Sequence, residues 1–371
     1  MVTPAILGEQ APSAQEIVRY NERAYARFCH AFREAATREV LQHEPGRNAV
    51  LVNDISEGPD FERLRAAGFR VLTIWHVDVV AYIADIYLSG RVRAEKLASW
   101  WERGRKFGLA RAAPEILRLI FEQQRASLEH SEAVVVPSGG MRELILRSYA
   151  WTQPQRVRVL PWGVRLPEFD EAEVHAGAER LREEFGIRGG ERVLLCLSRI
   201  SPEKGQDLLL EALRGWTGPP LLVLICGEAA FMGGERHLQR LRRLAEGLNN
   251  VRVLFPGYAQ GIRKSALFRL ADLYVFPSRH ESYGLTLMEA LASGLPAVCL
   301  ESAGTREVMR EEFGAMVAKP ADLPGAIARL LAEGDGLRQR GRGAAEFARR
   351  QDFRQTAAKL AEWLCAPVAG I

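Results

Sequence analysis

The stretch 192–213, "RVLLCLSRISPEKGQDLLLEAL", carries an apolar run, Val193–Leu197, into a short polar turn and out into a leucine-rich segment. An apolar run of that length closed by a turn reads as a buried strand. The spacing of Leu208, Leu209, Ala212 and Leu213 is that of a helix face. Strand, turn and helix in that order are half of a βαβ unit, which predicts a parallel sheet with helices on its faces.

Working outward, the same rhythm recurs. Residues 221–226, 251–255, 273–276 and 296–300 read as further strands, and 235–246, 263–270, 285–293 and 304–310 as the helices between them. Together they predict an open doubly wound α/β domain, whose ligands sit outside the carboxyl ends of the strands. Upstream, "NAVLVND" (48–54) and "FRVLTIWH" (69–76) flank the helix "DFERLRAAG", and "EAVVVPS" and "RVRVLPWGV" add two strands. Helical spacing also runs through 13–43 and 91–132. The predicted architecture is therefore α/β, with two Rossmann-like domains facing a cleft. The acidic, glycine-bearing segment 167–190 puts the boundary near residue 164, giving domains 1–164 and 165–371, with the last helix packing back on the first domain.

A chain of 371 residues with 47% apolar and 26% charged side chains has the composition of a globular protein with sizeable cores. The net charge of +4 suits anionic small molecules or an anionic membrane surface and makes no demand for nucleic acid. Five widely spaced cysteines without a C-x-x-C pair predict reduced thiols in the cytoplasm. The seven histidines form no metal-ligand spacing, so a metal is not expected. No apolar run reaches the length of a membrane span.

Three strand-to-helix loops carry the candidate chemistry. In the first, Arg199 and Lys204 stand beside Gly205 at a helix start, the arrangement that holds a diphosphate; a solvated basic loop is the bland alternative. In the second, Gly227 in "LICGEAAF" permits close backbone approach to a ligand, or simply a turn. The third is 278–298, "SRHESYGLTLMEALASGLPAV". Here Glu281 falls in the loop and Glu289 on the second turn of a helix that stops at Gly294. Leu285, Leu287, Met288 and Leu291 are expected to pack inward, with amides near Gly284 and Leu285 free beside the two acids.

The order "SRISPEKG", "PSRHESYGLTLMEALASGLPAV" and "AGTREV" resembles the nucleotide-binding half of the retaining glycosyltransferases of family 4, of GT-B fold, over about residues 130–365. That family's signature is an acid, seven residues and a second acid, the spacing of Glu281 and Glu289. The resemblance implies a metal-independent, cofactor-free enzyme whose substrate is a nucleotide sugar of UDP, GDP or ADP type. The acceptor would be a glycan or lipid-linked sugar. It implies that Arg199 and Lys204 neutralise the leaving diphosphate, Glu289 accepts from the ribose hydroxyls and Glu281 lies against the donor sugar. It also implies that His76, after the strand in "TIWHVD", reaches the donor sugar from the opposite wall, although a lone histidine there can be structural. Ser138 in "VVVPSGGMREL" is either a ligand contact or a helix N-cap.

The chain departs from the family pattern at Ser198 and Ala303, where glycine is usual, and at Trp162, where asparagine is usual. It also opens on a helix rather than on the strand and glycine-rich loop common in the family. The expectation is therefore an incomplete acceptor-side domain, and a second reading as a catalytically impaired nucleotide-sugar-binding or partner subunit. The basic segment 91–108, "RVRAEKLASWWERGRKFG", contains Trp100 and Trp101 and raises peripheral contact with the inner membrane face, against a solvated helix with core tryptophans.

Overall fold

In the computed structural model, residues 1–13, 16–17, 20–53, 55–84, 88, 91–165, 168–230 and 233–366 are described. The chain divides into two compact units, one of residues 1–161 and 356–371, the other of residues 162–355.

The first unit holds four parallel strands in sequential order: β1 (Ala49–Val52), β2 (Arg70–Ile74), β3 (Ala133–Val136) and β4 (Val157–Val159). β3 is buried along its whole length, which is why it reads as an unbroken valine run rather than an alternation. Its core gathers Trp75, Phe121, Leu128, Val134, Val136, Ile145 and Tyr149. Of the predicted 13–43 helix, Glu22–Val40 forms with Asn21 as its N-cap; residues 14–15 and 18–19 lie outside the described ones. The 91–132 region is two helices, Ala94–Lys106 and Glu115–His130. The two tryptophans part company. Trp101 stacks on Phe121 with ring centroids 4.5 Å apart, whereas Trp100 is 54% exposed.

The last helix of the described residues is Phe353–Cys365. From Thr356 on it belongs to the first unit, where Arg70 Nη1 donates to Leu364 O at 3.2 Å and the Arg158 guanidinium lies 5.2 Å from the Trp363 ring centre.

The second unit is a six-stranded parallel sheet of order β10-β9-β8-β5-β6-β7. The strands are β5 (Arg192–Leu197), β6 (Leu221–Cys226), β7 (Val251–Gly257), β8 (Leu273–Phe276), β9 (Ala297–Leu300) and β10 (Gly314–Val317). The opening stretch is thus the central strand of the sheet and the point from which the chain winds both ways. β6 and β7 are laid down on one side of β5, and β8, β9 and β10 on the other. Crevices in such sheets open where the order reverses, between the loops that leave β5 and β8.

The acidic segment near the boundary is a helix, Glu171–Glu184. It docks on the helix Gly261–Leu270: the absent side chain of Gly177 makes room for Ala266, and Arg263 meets Glu184 with two hydrogen bonds of 3.0 and 2.7 Å. Burial pushes the thiols of Cys196, Cys226 and Cys299 up to about 12, so these cysteines act as small apolar core residues.

Candidate functional site

The site is built from the loops that follow β5 and β8. After β5 the chain crosses Arg199, forms a single turn at Pro202–Lys204 and enters the helix Gln206–Ala212 through Gly205. Gly205 sits at φ 64°, and a Cβ there would lie 2.0 Å from Pro277 O, so only glycine lets this turn touch the loop after β8. That contact brings the two loops' charges together. Lys204 Nζ donates to Glu281 Oε2 at 2.9 Å, with both side chains mostly buried.

The loop after β8 leads into the helix Leu285–Ala292. Gly284 is its N-cap at φ 95°. At the other end, Gly294 N donates to Leu291 O and Leu295 N to Ala290 O, at 2.9 and 3.0 Å. This is the paired closure that a left-handed glycine allows, so the sequence-predicted stop at Gly294 has its cause. Leu287, Met288 and Leu291 are buried, but Leu285 is 50% exposed, a correction to its expected inward packing. As the first residue of the helix it precedes the turn that faces the sheet, and its amide is among those with no acceptor inside the helix.

Glu289, one turn further on, accepts from Lys264 Nζ at 2.6 Å. Lys264 comes from the helix Gly261–Leu270 and was not singled out by the sequence. The helix Ala303–Val308 also touches the β8 loop: Gly304 N donates to Glu281 O at 2.9 Å, and a Cβ on Gly304 would fall 2.3 Å from Tyr283 N. The glycine kept in "AGTREV" is therefore the one that permits this contact; Ala303, the departure beside it, is the first residue of the helix.

Gly227 has a definite local cause as well. It lies at φ 151°, and a Cβ there would be 1.9 Å from Ser198 O, so the close approach that requires glycine is to the neighbouring loop. Arg199 is about half-exposed, its Nη2 3.8 Å from Glu203 Oε1, while Glu203 is buried and also accepts from Ser201 Oγ at 2.6 Å.

In the first unit, Ser138 is fully buried, and its Oγ accepts from Met141 N at 3.2 Å as the cap of the helix Gly139–Ser148. His76 is exposed, its Nε2 3.2 Å from Asn53 Oδ1. Asp78, two residues on, caps the short helix Val79–Tyr82 by accepting from Ala81 N at 3.0 Å, and Gln124 Nε2 donates to the same carboxylate oxygen at 2.8 Å. Among the described residues no group of three or more histidine, cysteine, aspartate or glutamate side chains is placed to hold a metal ion.

The arrangement offers two cations, Arg199 and Lys204, and two carboxylates, Glu281 and Glu289, at the carboxyl ends of adjacent strands of a doubly wound sheet. Chemically it can neutralise a diphosphate, accept hydroxyl protons in hydrogen bonds and stabilise a nearby positive charge.

The sequence pattern of a family described as glycosyl transferases group 1 matches residues 177–347. A D-inositol 3-phosphate glycosyltransferase of Geodermatophilus obscurus is 30% identical over 323 residues, 84% of this chain and 65% of the relative. An alpha-monoglucosyldiacylglycerol synthase of Streptococcus pneumoniae is 30% identical over 210 residues, 56% of this chain and 46% of the relative. The chain thus spans less than two thirds of the length of these two curated relatives. A D-inositol 3-phosphate glycosyltransferase 2 of Catenulispora acidiphila is 30% identical over 343 residues, 90% of this chain and 74% of the relative. Among solved structures, the sucrose-phosphate synthase of Thermosynechococcus elongatus superposes with a TM-score of 0.66 at 20% identity, covering 91% of this chain and 77% of that one. Anabaena HepE in complex with UDP and glucose superposes with a TM-score of 0.65 at 16% identity, covering 89% and 81%.

Proposed function

Since the chain belongs to the group 1 glycosyltransferases, we propose that it moves a sugar from a nucleotide-activated donor to an acceptor hydroxyl, with retention at the anomeric carbon. The observation that carries this reading is the meeting of Lys204 and Glu281 at 2.9 Å, from loops that leave adjacent strands where the sheet order reverses. Diphosphate is the leaving group, so negative charge grows on it as the sugar departs. Arg199 and Lys204 would stabilise that charge, aided by the amides at the start of the helix Leu285–Ala292. The two side-chain cations would do what a divalent ion does elsewhere, so turnover is expected without added metal.

Glu289 would accept from the ribose hydroxyls. Lys264 donates to its Oε2, so Oε1 would be the first acceptor for a ribose hydroxyl. Glu281 would orient the donor sugar and favour the positive charge that develops at its anomeric carbon. His76 enters the reading as a second contact to the donor sugar, and Ser138 as a cap that fixes a helix start. UDP is the first donor nucleotide to test, because HepE is described in complex with UDP and glucose. Five free thiols, four of them buried, suit a reducing compartment and hence the cytoplasm.

Calorimetric titration with UDP, GDP and ADP tests the site. One nucleotide should bind, and Glu289→Ala or Lys204→Ala should each weaken it by about 1 to 3 kcal/mol, the scale of a hydrogen bond to a charged group. A folded chain that binds none of the three would replace this reading with that of a subunit kept for assembly.

A membrane-facing acceptor is favoured by the first unit's surface. Trp100 at 54%, Phe107 at 80% and Leu109 at 68% exposure lie within the basic segment 91–111. Apolar side chains among cations suit an anionic bilayer interface. Sedimentation with anionic and neutral vesicles checks it: anionic vesicles should pull down the protein and Trp100→Ala should reduce the bound fraction, whereas equal recovery with both vesicle types ends the idea.

A further inference from the structure

Beneath the Lys204 turn lies a buried polar cluster that the donor chemistry leaves unused. Asp207, in the first turn of the helix Gln206–Ala212, is almost wholly buried and meets Arg279 through two parallel hydrogen bonds, Nη1 to Oδ1 at 2.8 Å and Nη2 to Oδ2 at 2.9 Å. Arg240 Nη2 stands 3.4 Å from the same carboxylate and His237 Nε2 3.9 Å. Burial by itself would raise the Asp207 carboxyl; the bonded Arg279 guanidinium, with His237 and Arg240, outweighs that and holds it below the usual carboxylate range.

Arg279 reaches further than its partner. Its Nη1 also donates to Pro202 O, and its backbone N donates to Glu203 O at 2.9 Å. Pro202 and Asp207 bracket Lys204, so one guanidinium grips both shoulders of the turn that carries the ammonium. Glu281, the partner of that ammonium, lies two residues beyond Arg279 on the other loop. A planar bidentate fork fixes orientation as well as distance, which a lysine in its place would not.

We propose that Arg279 is a positioning residue, whose clamp on Asp207 and Pro202 sets where Lys204 stands relative to Glu281 and so governs diphosphate affinity through Lys204. This inference rests on the donor-site reading above. If Arg279 merely stapled the fold, its loss would weaken every ligand contact alike; if it acts through Lys204, its loss should cost nothing once Lys204 is gone.

A double-mutant cycle on UDP affinity separates these, since coupled side chains give non-additive effects and independent ones add. The four proteins are wild type, Arg279→Gln, Lys204→Ala and the double variant, titrated calorimetrically up to millimolar UDP, with thermal melts to confirm folding. The clamp predicts that Arg279→Gln weakens UDP about tenfold in the wild-type background and less than about twofold in the Lys204→Ala background. Arg279→Lys keeps the charge without the fork and should show the same pattern at smaller amplitude; it decides the matter if Arg279→Gln does not fold. Equal weakening in both backgrounds, or no weakening in the wild-type background, overturns the clamp and leaves the donor site standing. A wild-type chain that binds no nucleoside diphosphate, or a Lys204→Ala variant that binds as tightly as wild type, overturns the donor reading itself and the clamp's role with it.

Discussion

The strand ends of the two units differ in how firmly they hold their functional candidates. In the second unit, backbone meets backbone around the site at glycines such as Gly205 against Pro277, Gly227 against Ser198 and Gly304 against Tyr283. Each of its two candidate carboxylates is matched with a lysine, Glu281 with Lys204 and Glu289 with Lys264. In the first unit, Ser138 is held as a buried cap, but His76 stands exposed beside Asn53, and the segment 91–111 turns Trp100, Phe107 and Leu109 outward. On the proposed function, the contrast fits a division of labour: a donor site benefits from groups held in place before the ligand arrives, because reorganisation then costs little at the moment of charge transfer, and a surface for an acceptor gains less from such rigidity.

The largest test of that contrast compares glycines. Gly227→Ala would drive a Cβ into Ser198 O, against backbone that cannot swing aside as a side chain would. It should cost at least about 3 kcal/mol of stability, the range of severe core strain. Gly108 in the first unit lies at φ 74° with nothing within 4 Å of an added Cβ, so Gly108→Ala carries only the left-handed penalty of about 1 to 2 kcal/mol. Denaturant unfolding of the two variants decides it. Equal losses would mean that the close approaches of the second unit are relaxed in solution, and the comparison would break.

How much of this was legible beforehand follows from the range of the interactions. The sheet of the second unit was readable from β5 to β9 because each strand is a short apolar run followed by a helical pattern. β10, Gly314–Val317, was missed: it opens on a glycine, its Met316 is exposed and its Val317 only half-buried, so it lacks the continuous buried apolar run of β8 and β9. The helix Glu171–Glu184 was hidden by its charge, since only a narrow face, Gly177, Ala178 and Leu181, is buried. At the site, Lys204, Glu281 and Glu289 were visible as residue types on loops of the right order. Their partners were not. Lys264 pairs with an acid 25 residues away and Arg279 with one 72 residues away, and no local pattern marks either pairing. Gly227 and Gly304 were legible as glycines, but that a neighbouring loop's backbone is what demands them is a tertiary fact.

The finest test asks whether the polar cluster under the Lys204 turn is as fixed as the geometry implies. His237 is buried, and its Nε2 lies 3.2 Å from Gln206 Oε1, while Gln206 Nε2 donates to Arg199 O at 2.8 Å. For this chain of bonds to close, Nε2 must carry the hydrogen, which leaves Nδ1 to take any further proton. Burial lowers the pKa of the imidazole, and the Arg279 and Arg240 charges lower it further, against the opposing pull of Asp207 and Glu203. In the folded state His237 therefore holds its proton less readily than in the unfolded chain, where it protonates near its ordinary value of about 6.5. Below that value the unfolded state binds more protons than the folded one, so stability contributed by neutral His237 is complete above about pH 7 and is lost as pH falls toward 5. His237→Gln removes this titration while an amide remains to donate to Gln206. The difference in unfolding free energy between pH 8 and pH 5 should be smaller in His237→Gln than in the wild type. An unchanged difference would show that the imidazole is hydrated in solution and that the cluster beneath the Lys204 turn is looser than its distances indicate.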